Sequence, residues 1–398
     1  MKKSLACLCT TILTILPLLV LSGCWSATEL NNRAFPTIMT VDLLEDGYLE
    51  VALGFPLPNR MIPSQTGGSN SGVGEPFTFI SRKGKKIGEI LRDIQLDATR
   101  DIFFGQTRVV VIGRRLASQG ISPVIDLISR QPNFHISANL FVTEQDVKDI
   151  RMTPTVSERF VSTVLTKFID DKLTINATVK NFLMSNPRTS AILLPQIGFR
   201  KLEEIEVTTP GRDYWISSEG AVMMSNGKMI SDRHLTNEEL RGALWITSQI
   251  DSAISSIKSP TDQREVTIKI NNIRTKIKPT IKNNKIAFEL KSTGNAYLFS
   301  SDSDLDVKDT RAVEELQNTL NKDLEGLIRQ TFETTKQAKC DVFRLSDYLD
   351  WRYPKIWEKL QDQWGEYYAK KLPIDIDVDI TINRTGTFYQ STQQIRNY

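Results

Sequence analysis

Histidine is scarce in this chain: its 398 residues include only two, His135 and His234. They lie in separate regions, and neither has a cysteine nearby at the spacing of a zinc site. The sequence also lacks a Gly-x-Ser-x-Gly nucleophile motif, and it lacks a Ser-x-x-Lys motif with its usual companions. A formal net charge of +3 is too small to indicate a nucleic-acid-binding protein. We therefore expect no enzymatic activity, no metal and no cofactor.

The first residues have the composition of a secretory signal. Lys2 and Lys3 precede an apolar run over residues 5–21, and small residues follow it. The run is too short to span a bilayer comfortably, and no later stretch is apolar enough to do so. The alternative is an ordinary signal or anchor with a chance cysteine after it.

Leu21-Ser22-Gly23-Cys24 resembles a bacterial lipobox, in which a diacylglyceryl group is joined to the cysteine sulfur and the signal is cut just before it. We expect residues 1–23 to be a cleaved lipoprotein signal peptide. Cys24 should then carry an S-diacylglyceryl group and an N-acyl chain. Because two or more acyl chains hold a protein stably on a bilayer, the mature chain should stay tethered to the outer face of a membrane.

Cysteine is also scarce beyond this point. Two of the four cysteines, Cys7 and Cys9, belong to the predicted signal, and Cys24 is predicted to be acylated. Only Cys340 remains, so no intramolecular disulfide can form. We expect Cys340 to behave as a small buried apolar residue.

The pattern of apolar residues predicts an α+β fold of three mixed α/β domains, with largely antiparallel or mixed sheets flanked by helices. The N-terminal mixed α/β domain spans residues 24–195, a small middle α/β unit 196–254, and the C-terminal α/β domain 255–398. The clearest strand covers residues 374–382, where isoleucine or valine alternates with aspartate or threonine.

Four local signals predict helix starts or turns. Ser122 should cap a helix that has Pro123 in its first turn. Thr143 should open a helix through a capping box. Thr236 should do the same together with Glu239, and Asn226-Gly227 should form a hairpin turn.

Aromatic residues crowd into one short stretch near the C-terminus. Their helical spacing favours a core stripe, meaning a row of buried side chains along one helix face. The alternative is a docking face for a partner, since Trp and Tyr are favoured interface anchors. The docking candidates are Trp351, Tyr353, Trp357 and Trp364. Asp375, Asp377 and Asp379 share one strand face and could hold a cation, but a solvated charged face is the commoner arrangement.

Several segments together resemble the Ger(x)C family of spore-germination lipoproteins, the C subunits of nutrient germinant receptors. They include the lipobox with Trp25 after it, and five further segments: Phe103-Phe104-Gly105-Gln106-Thr107-Arg108, Leu240-Arg241-Gly242-Ala243-Leu244-Trp245, Cys340-Asp341-Val342-Phe343, Tyr353-Pro354-Lys355-Ile356-Trp357 and Asn383-Arg384-Thr385-Gly386.

This resemblance implies three mixed α/β domains and no enzymatic activity. It also implies assembly with the two integral-membrane subunits of the receptor, one of them transporter-like, on the outer surface of the inner spore membrane. It supplies no ligand-contacting residues. The expected function is therefore a receptor subunit, with a nutrient-binding lipoprotein as the alternative. A cortex hydrolase is disfavoured, since no paired acid/base signature is present.

Overall fold

A computed structural model describes residues 29–57, 76–153, 158–185, 191–201, 214–282 and 285–384. The predicted signal peptide over residues 1–23 and the predicted acylation site Cys24 lie outside these ranges. The described chain is of the predicted α+β class, with mixed sheets flanked by helices.

The larger sheet has eight strands in the order β10-β9-β8-β7-β6-β2-β3-β4. Its middle strands β2, β6, β7 and β8 run parallel, and the strands on either side of them are antiparallel. Two further short strands, β1 and β5, pair in parallel beside it. The bounds are β1 (Arg33–Ala34), β2 (Ile38–Leu43), β3 (Leu49–Pro56), β4 (Phe77–Gly84), β5 (Asp101–Ile102), β6 (Val109–Gly113), β7 (Asn139–Thr143), β8 (Ala191–Lys201), β9 (Tyr214–Ser225) and β10 (Lys228–Leu235).

Helices cover both faces of this sheet. Its parallel strands carry apolar side chains on both faces, and the helices remove those side chains from water. Helices α1 to α3 and the start of α6 pack on one face, and α4 and α5 pack on the other. Their bounds are α1 (Ile87–Asp97), α2 (Arg114–Gln119), α3 (Ser122–Arg130), α4 (Asp149–Met152), α5 (Val161–Asp170) and α6 (Val179–Met184).

The second sheet has four strands in the order β11-β12-β13-β14. Strand β14 runs parallel to β13, as expected for two strands separated by a helical crossover. The bounds are α7 (Asn237–Ile246), β11 (Ser252–Lys258), β12 (Glu265–Lys282), β13 (Lys285–Ser301), α8 (Thr310–Gln337), α9 (Leu345–Arg352), α10 (Pro354–Leu360), α11 (Trp364–Lys371) and β14 (Ile374–Arg384).

Helix α8 covers the outer edge of β14. The N–H of Ile380 donates to Oδ1 of Asn321, and the N–H of Ile382 donates to Oε1 of Gln317, each over 3.0 Å. Edge strands with unpaired N–H groups tend to recruit other strands, so these two amides close that edge to further pairing.

The larger sheet continues across the predicted boundary at residue 195, which lies inside β8. Strands β8 and β9 place Leu194 and Val222 in the core beneath α1 to α3. They place Leu193 and Met223 in the core shared with the second sheet. The two strands thus join the cores, and the division into three domains stays a prediction.

Two of the four local signals are confirmed. Thr236 caps α7 through a reciprocal capping box with Glu239. Asn226 and Gly227 form the turn between β9 and β10, both with positive φ as a type I′ turn requires.

Of the other two signals, one is wrong and one is right only in part. Thr143 is the last residue of β7, where its backbone pairs with Gly113 and Ile197, and the next helix begins only at Asp149. Sheet pairing on both sides outweighs the local capping pattern there. Helix α3 is present with Pro123 in its first turn, as predicted. It begins at Ser122 itself, however, with Ile121 at the N-cap position and no side-chain cap.

Candidate functional site

The four aromatic residues proposed for docking fall into different environments. Trp357 and Trp364 are buried in the core, with ring centroids 5.4 Å apart in an edge-on arrangement. Tyr353 is half-buried against the same core, whereas Trp351 is 82% exposed. The core stripe thus accounts for the two buried tryptophans, and only Trp351 presents a largely free surface to a partner.

Trp351 forms part of the wall of an open groove of about 460 Å³, which we call the Trp351 groove. The groove lies where the end of α7, the middle of β12 and helix α9 meet. Its lining residues are Ile246, Thr247, Ser248, Thr275, Ile277, Phe343, Arg344, Asp347, Tyr348 and Trp351.

Arg344 forms the charged part of this groove. It precedes α9 with a left-handed backbone (φ 56°, ψ 39°), a conformation that non-glycine residues seldom adopt. Its guanidinium donates to Oδ2 of Asp347 over 2.6 Å from Nε, and Nη2 lies 2.5 Å from the same oxygen. Nη2 also lies 3.5 Å from the carbonyl oxygen of Met184 at the end of α6. These contacts fix the head of Arg344 between the two cores.

Asp341 holds the start of α9 in place beneath the groove. Its carboxylate accepts from the N–H of Leu345 at 2.9 Å, from the N–H of Ser346 at 2.8 Å and from Nε1 of Trp364 at 2.9 Å. The carboxyl is fully buried, and burial raises its pKa to about 6 although the three donors act in the opposite direction. Its carbonyl oxygen accepts from the N–H of Ala191, so the same residue also contacts β8.

The chemistry of the groove is that of a binding surface. Its lining includes one ion pair, the exposed rings of Tyr348 and Trp351, and the hydroxyls of Thr247 and Ser248. The Thr247 hydroxyl already donates to the carbonyl oxygen of Ala243 over 2.7 Å. Thr275 shares a 3.1 Å hydrogen bond with Ser292 on the neighbouring strand. Such a mixture suits a ligand or peptide segment with both polar and apolar parts.

Cys340 lies beside Asp341 and is buried. Burial is the main cause that raises the pKa of its thiol to about 12. Because the thiolate is the reactive form, this thiol is inert near neutral pH. The prediction of a buried, apolar-like Cys340 is confirmed.

On the acidic face of β14, Asp377 forms an ion pair with a lysine of the neighbouring strand. Nζ of Lys291 on β13 lies 3.2 Å from Oδ2 of Asp377, with both side chains largely exposed. Within the described ranges, no group of three or more His, Cys, Asp and Glu residues is arranged to hold a metal ion. The ion pair of Asp377 with Lys291 favours a solvated charged face over a cation site.

The Trp351 groove could not be predicted from the sequence. Helix α9 is only eight residues long, and its residues show no strong apolar periodicity. The sequence signal for α9 was the helical spacing of Leu345 and Leu349, both of which are buried. Asp341 stands four residues before Leu345. Ser248 and Ile277 reach the groove only through the tertiary fold.

No helix in the described part of the chain is long and apolar enough to cross a bilayer.

Comparison with known proteins gives consistent results over both halves of the chain. A family model described as "Spore germination protein N-terminal domain" matches residues 26–198. A second model, "Spore germination B3/ GerAC like, C-terminal", matches residues 218–386.

Individual relatives cover almost the whole length. The chain is 24% identical to spore germination protein KC of Bacillus subtilis (strain 168) over 392 residues, which is 94% of this chain and 95% of the relative. It is 20% identical to spore germination protein B3 of the same organism over 382 residues, or 93% and 96% of the two chains.

A solved structure is also similar. The crystal structure of the GerBC protein superposes with a TM-score of 0.52 at 16% identity, covering 87% of this chain and 96% of that one. At this identity the likeness concerns the fold. With the two family models and the full-length relatives, these findings show that the protein belongs to the Ger(x)C family of spore germination proteins.

Proposed function

We propose that this protein is a non-catalytic, lipid-anchored subunit of a spore nutrient germinant receptor. The observation that carries the proposal is the match of two spore-germination family models to residues 26–198 and 218–386. Relatives with germination names match 93–94% of this chain, which supports a role in germination for nearly its whole length.

The anchor is the diacylglyceryl group on Cys24, with an N-acyl chain. The lipobox-like residues 21–24 support this part of the proposal. Tethering confines the folded body to a layer near the bilayer and so raises its effective concentration towards membrane-embedded partners. Those partners are the two integral-membrane subunits of the receptor, and the location is the outer surface of the inner spore membrane.

Replacement of the anchoring cysteine tests this part. In spores, Cys24→Ala should release the protein from the membrane fraction and reduce nutrient-triggered germination, whereas the neighbouring Ser26→Ala should do neither. Membrane retention and normal germination of the Cys24→Ala strain would refute anchoring at this residue.

The partner assignment needs a separate experiment. Affinity purification from spore membranes, followed by mass spectrometry, should recover two integral-membrane proteins with the native chain. Recovery of this chain alone under conditions that preserve membrane complexes would contradict the subunit role.

The Trp351 groove supports a second candidate function, a nutrient-binding lipoprotein. Its volume of about 460 Å³ lies within the range of small-molecule sites. A small nutrient that binds the folded state would raise the unfolding temperature, and Trp351→Ala would abolish that rise. A panel of amino acids and sugars that gives no shift would argue against this candidate.

A further inference from the structure

The chain between the proposed lipid anchor and the first described residue is short. Five residue steps separate Cys24 from Glu29, and a fully extended chain covers at most about 3.6 Å per step, or about 18 Å. If Cys24 is acylated, as proposed above, the part of the fold that follows Glu29 must lie within that reach of the bilayer.

Strand β1, which comes next, is fixed to one end of the larger sheet. Arg33 pairs with Asp101 of β5, and the N–H of Phe103 donates to the carbonyl oxygen of Ala34 over 2.8 Å. The guanidinium of Arg33 lies 4.4 Å from the ring centroid of Phe103. Because β2 begins four residues after β1 ends, this is the end of the sheet at which β2, β6 and β7 begin.

Exposed apolar side chains gather at this end from three separate segments. Leu30 is 72% exposed, Leu96 in the last turn of α1 is 80% exposed, and Ile136 is 46% exposed. Three large aliphatic side chains at one end of a soluble fold favour contact with another apolar phase.

Direct contacts hold these three segments together. Gln95, next to Leu96, donates to the carbonyl oxygen of Arg100 and accepts from the N–H of Ile102 beside β1, each over 2.9 Å. Phe104 stacks on Phe134 at 5.2 Å, which places the loop containing Ile136 against the same end.

Cations accompany the apolar side chains. Arg100 and Arg108 are exposed, and Arg33 is partly exposed at β1, while Glu29 and Asp101 are exposed acidic residues at the same end. Exposed arginines beside apolar side chains match the chemistry of a bilayer surface that contains anionic phospholipids.

We propose that this end of the larger sheet, marked by Leu30, Leu96, Ile136, Arg33, Arg100 and Arg108, is the surface that rests on the bilayer. The anchor brings the surface to the membrane, and the aliphatic side chains enter the headgroup region while the arginines contact anionic lipid. The second sheet and the Trp351 groove, which belong to the other core, then remain available to protein partners.

Site-specific fluorescence on the acylated full-length protein tests this orientation. An environment-sensitive dye is attached to Leu96→Cys or Ile136→Cys, and the protein is reconstituted into vesicles of phosphatidylglycerol and phosphatidylethanolamine. Labelling is selective because Cys340 is buried with a pKa of about 12. Tyr48→Cys is the matched control, since Tyr48 is also exposed but follows β2 at the opposite end of that strand.

The dyes at positions 96 and 136 should shift their emission to shorter wavelength and be quenched by lipids that carry a nitroxide in the headgroup region. The dye at position 48 should show neither effect. Arg100→Glu with Arg108→Glu should weaken the quenching at position 96. Unchanged quenching in that double variant would overturn the role of the two arginines.

Two contrary outcomes are distinguishable. Mass spectrometry of each sample shows whether Cys24 is acylated, and an unmodified Cys24 would overturn the proposed anchoring and the surface with it. If Cys24 is acylated and the three positions behave alike, or position 48 is the one quenched, the bilayer-facing surface is wrong while the anchored subunit stands.

Discussion

Replacement of Asp341 by asparagine should remove a pH dependence of stability that the fold builds into the start of α9. The carboxyl is fully buried, and its folded-state pKa is raised from 3.8 to about 6. The folded state therefore binds this proton more tightly than the unfolded state does. Ionisation is disfavoured by about 3 kcal/mol, since one pKa unit is worth about 1.4 kcal/mol.

The sign follows from linkage. Below about pH 3 the group is protonated in both states and has no cost. As the pH rises towards 6, the unfolded state loses the proton first, so the free energy of unfolding of the native sequence falls. Above about pH 7 both states are ionised and the loss is complete. Between pH 4.5 and 7.5 the decrease should be about 2 kcal/mol.

The assay is urea unfolding of the native sequence and of Asp341→Asn across this range. The asparagine offers one acceptor oxygen to Leu345, Ser346 and Trp364, and so loses hydrogen bonds worth about 1–3 kcal/mol at every pH. The decisive quantity is therefore the difference between the two profiles, which should change by about 2 kcal/mol with pH. Asp350→Asn, an exposed change in α9, is the control. Parallel profiles for the native sequence and Asp341→Asn would refute the reasoning.

Three further predictions concern other sites. Gly242→Ala should destabilise the protein by about 1–3 kcal/mol in urea unfolding, because a Cβ there would clash with Oγ1 of Thr331 where α7 crosses α8, whereas Gly326→Ala has open space and should not. An unchanged midpoint in Gly242→Ala would contradict this close crossing. Trp351→Ala should change stability by less than about 0.5 kcal/mol yet weaken recovery of the membrane partners, and full recovery would exclude the groove from docking. Cys340 should resist maleimide labelling at pH 8 until urea unfolds the chain, and rapid labelling of folded protein would contradict its burial.

Sequence patterns predicted the elements whose apolar residues repeat regularly. Residues 374–382 alternate between apolar and polar residues and lie in β14, where Val378 and Ile380 are buried. Burial of one side decides the local conformation there, so the periodicity carries the information.

Other features depend on contacts between distant residues. The aromatic residues at helical spacing do not share one helix, because α10 and α11 are separated by a 3₁₀ turn over residues 361–363. That turn lies between Trp357 and Trp364, whose rings pack against each other in the core. Strands β8 and β9 contribute side chains to two cores, and the local pattern of apolar residues does not predict this.

The candidate site was predictable only in part. The sequence located the aromatic cluster, but not that Trp357 and Trp364 would be buried while Trp351 is exposed. Exposure depends on how α9, α10 and α11 turn relative to one another, and one hydrogen bond links Asp341, ahead of α9, to Trp364 at the start of α11 across 23 residues. The Trp351 groove brings together residues that are about a hundred positions apart.

The central claim, a lipid-anchored receptor subunit, rests most directly on the chemistry at Cys24. Mass spectrometry of the amino-terminal peptide of protein extracted from spore membranes should find a chain that begins at Cys24 and carries a diacylglyceryl group on its sulfur. A peptide with an unmodified Cys24, or one that still contains residues 1–23, would contradict the claim.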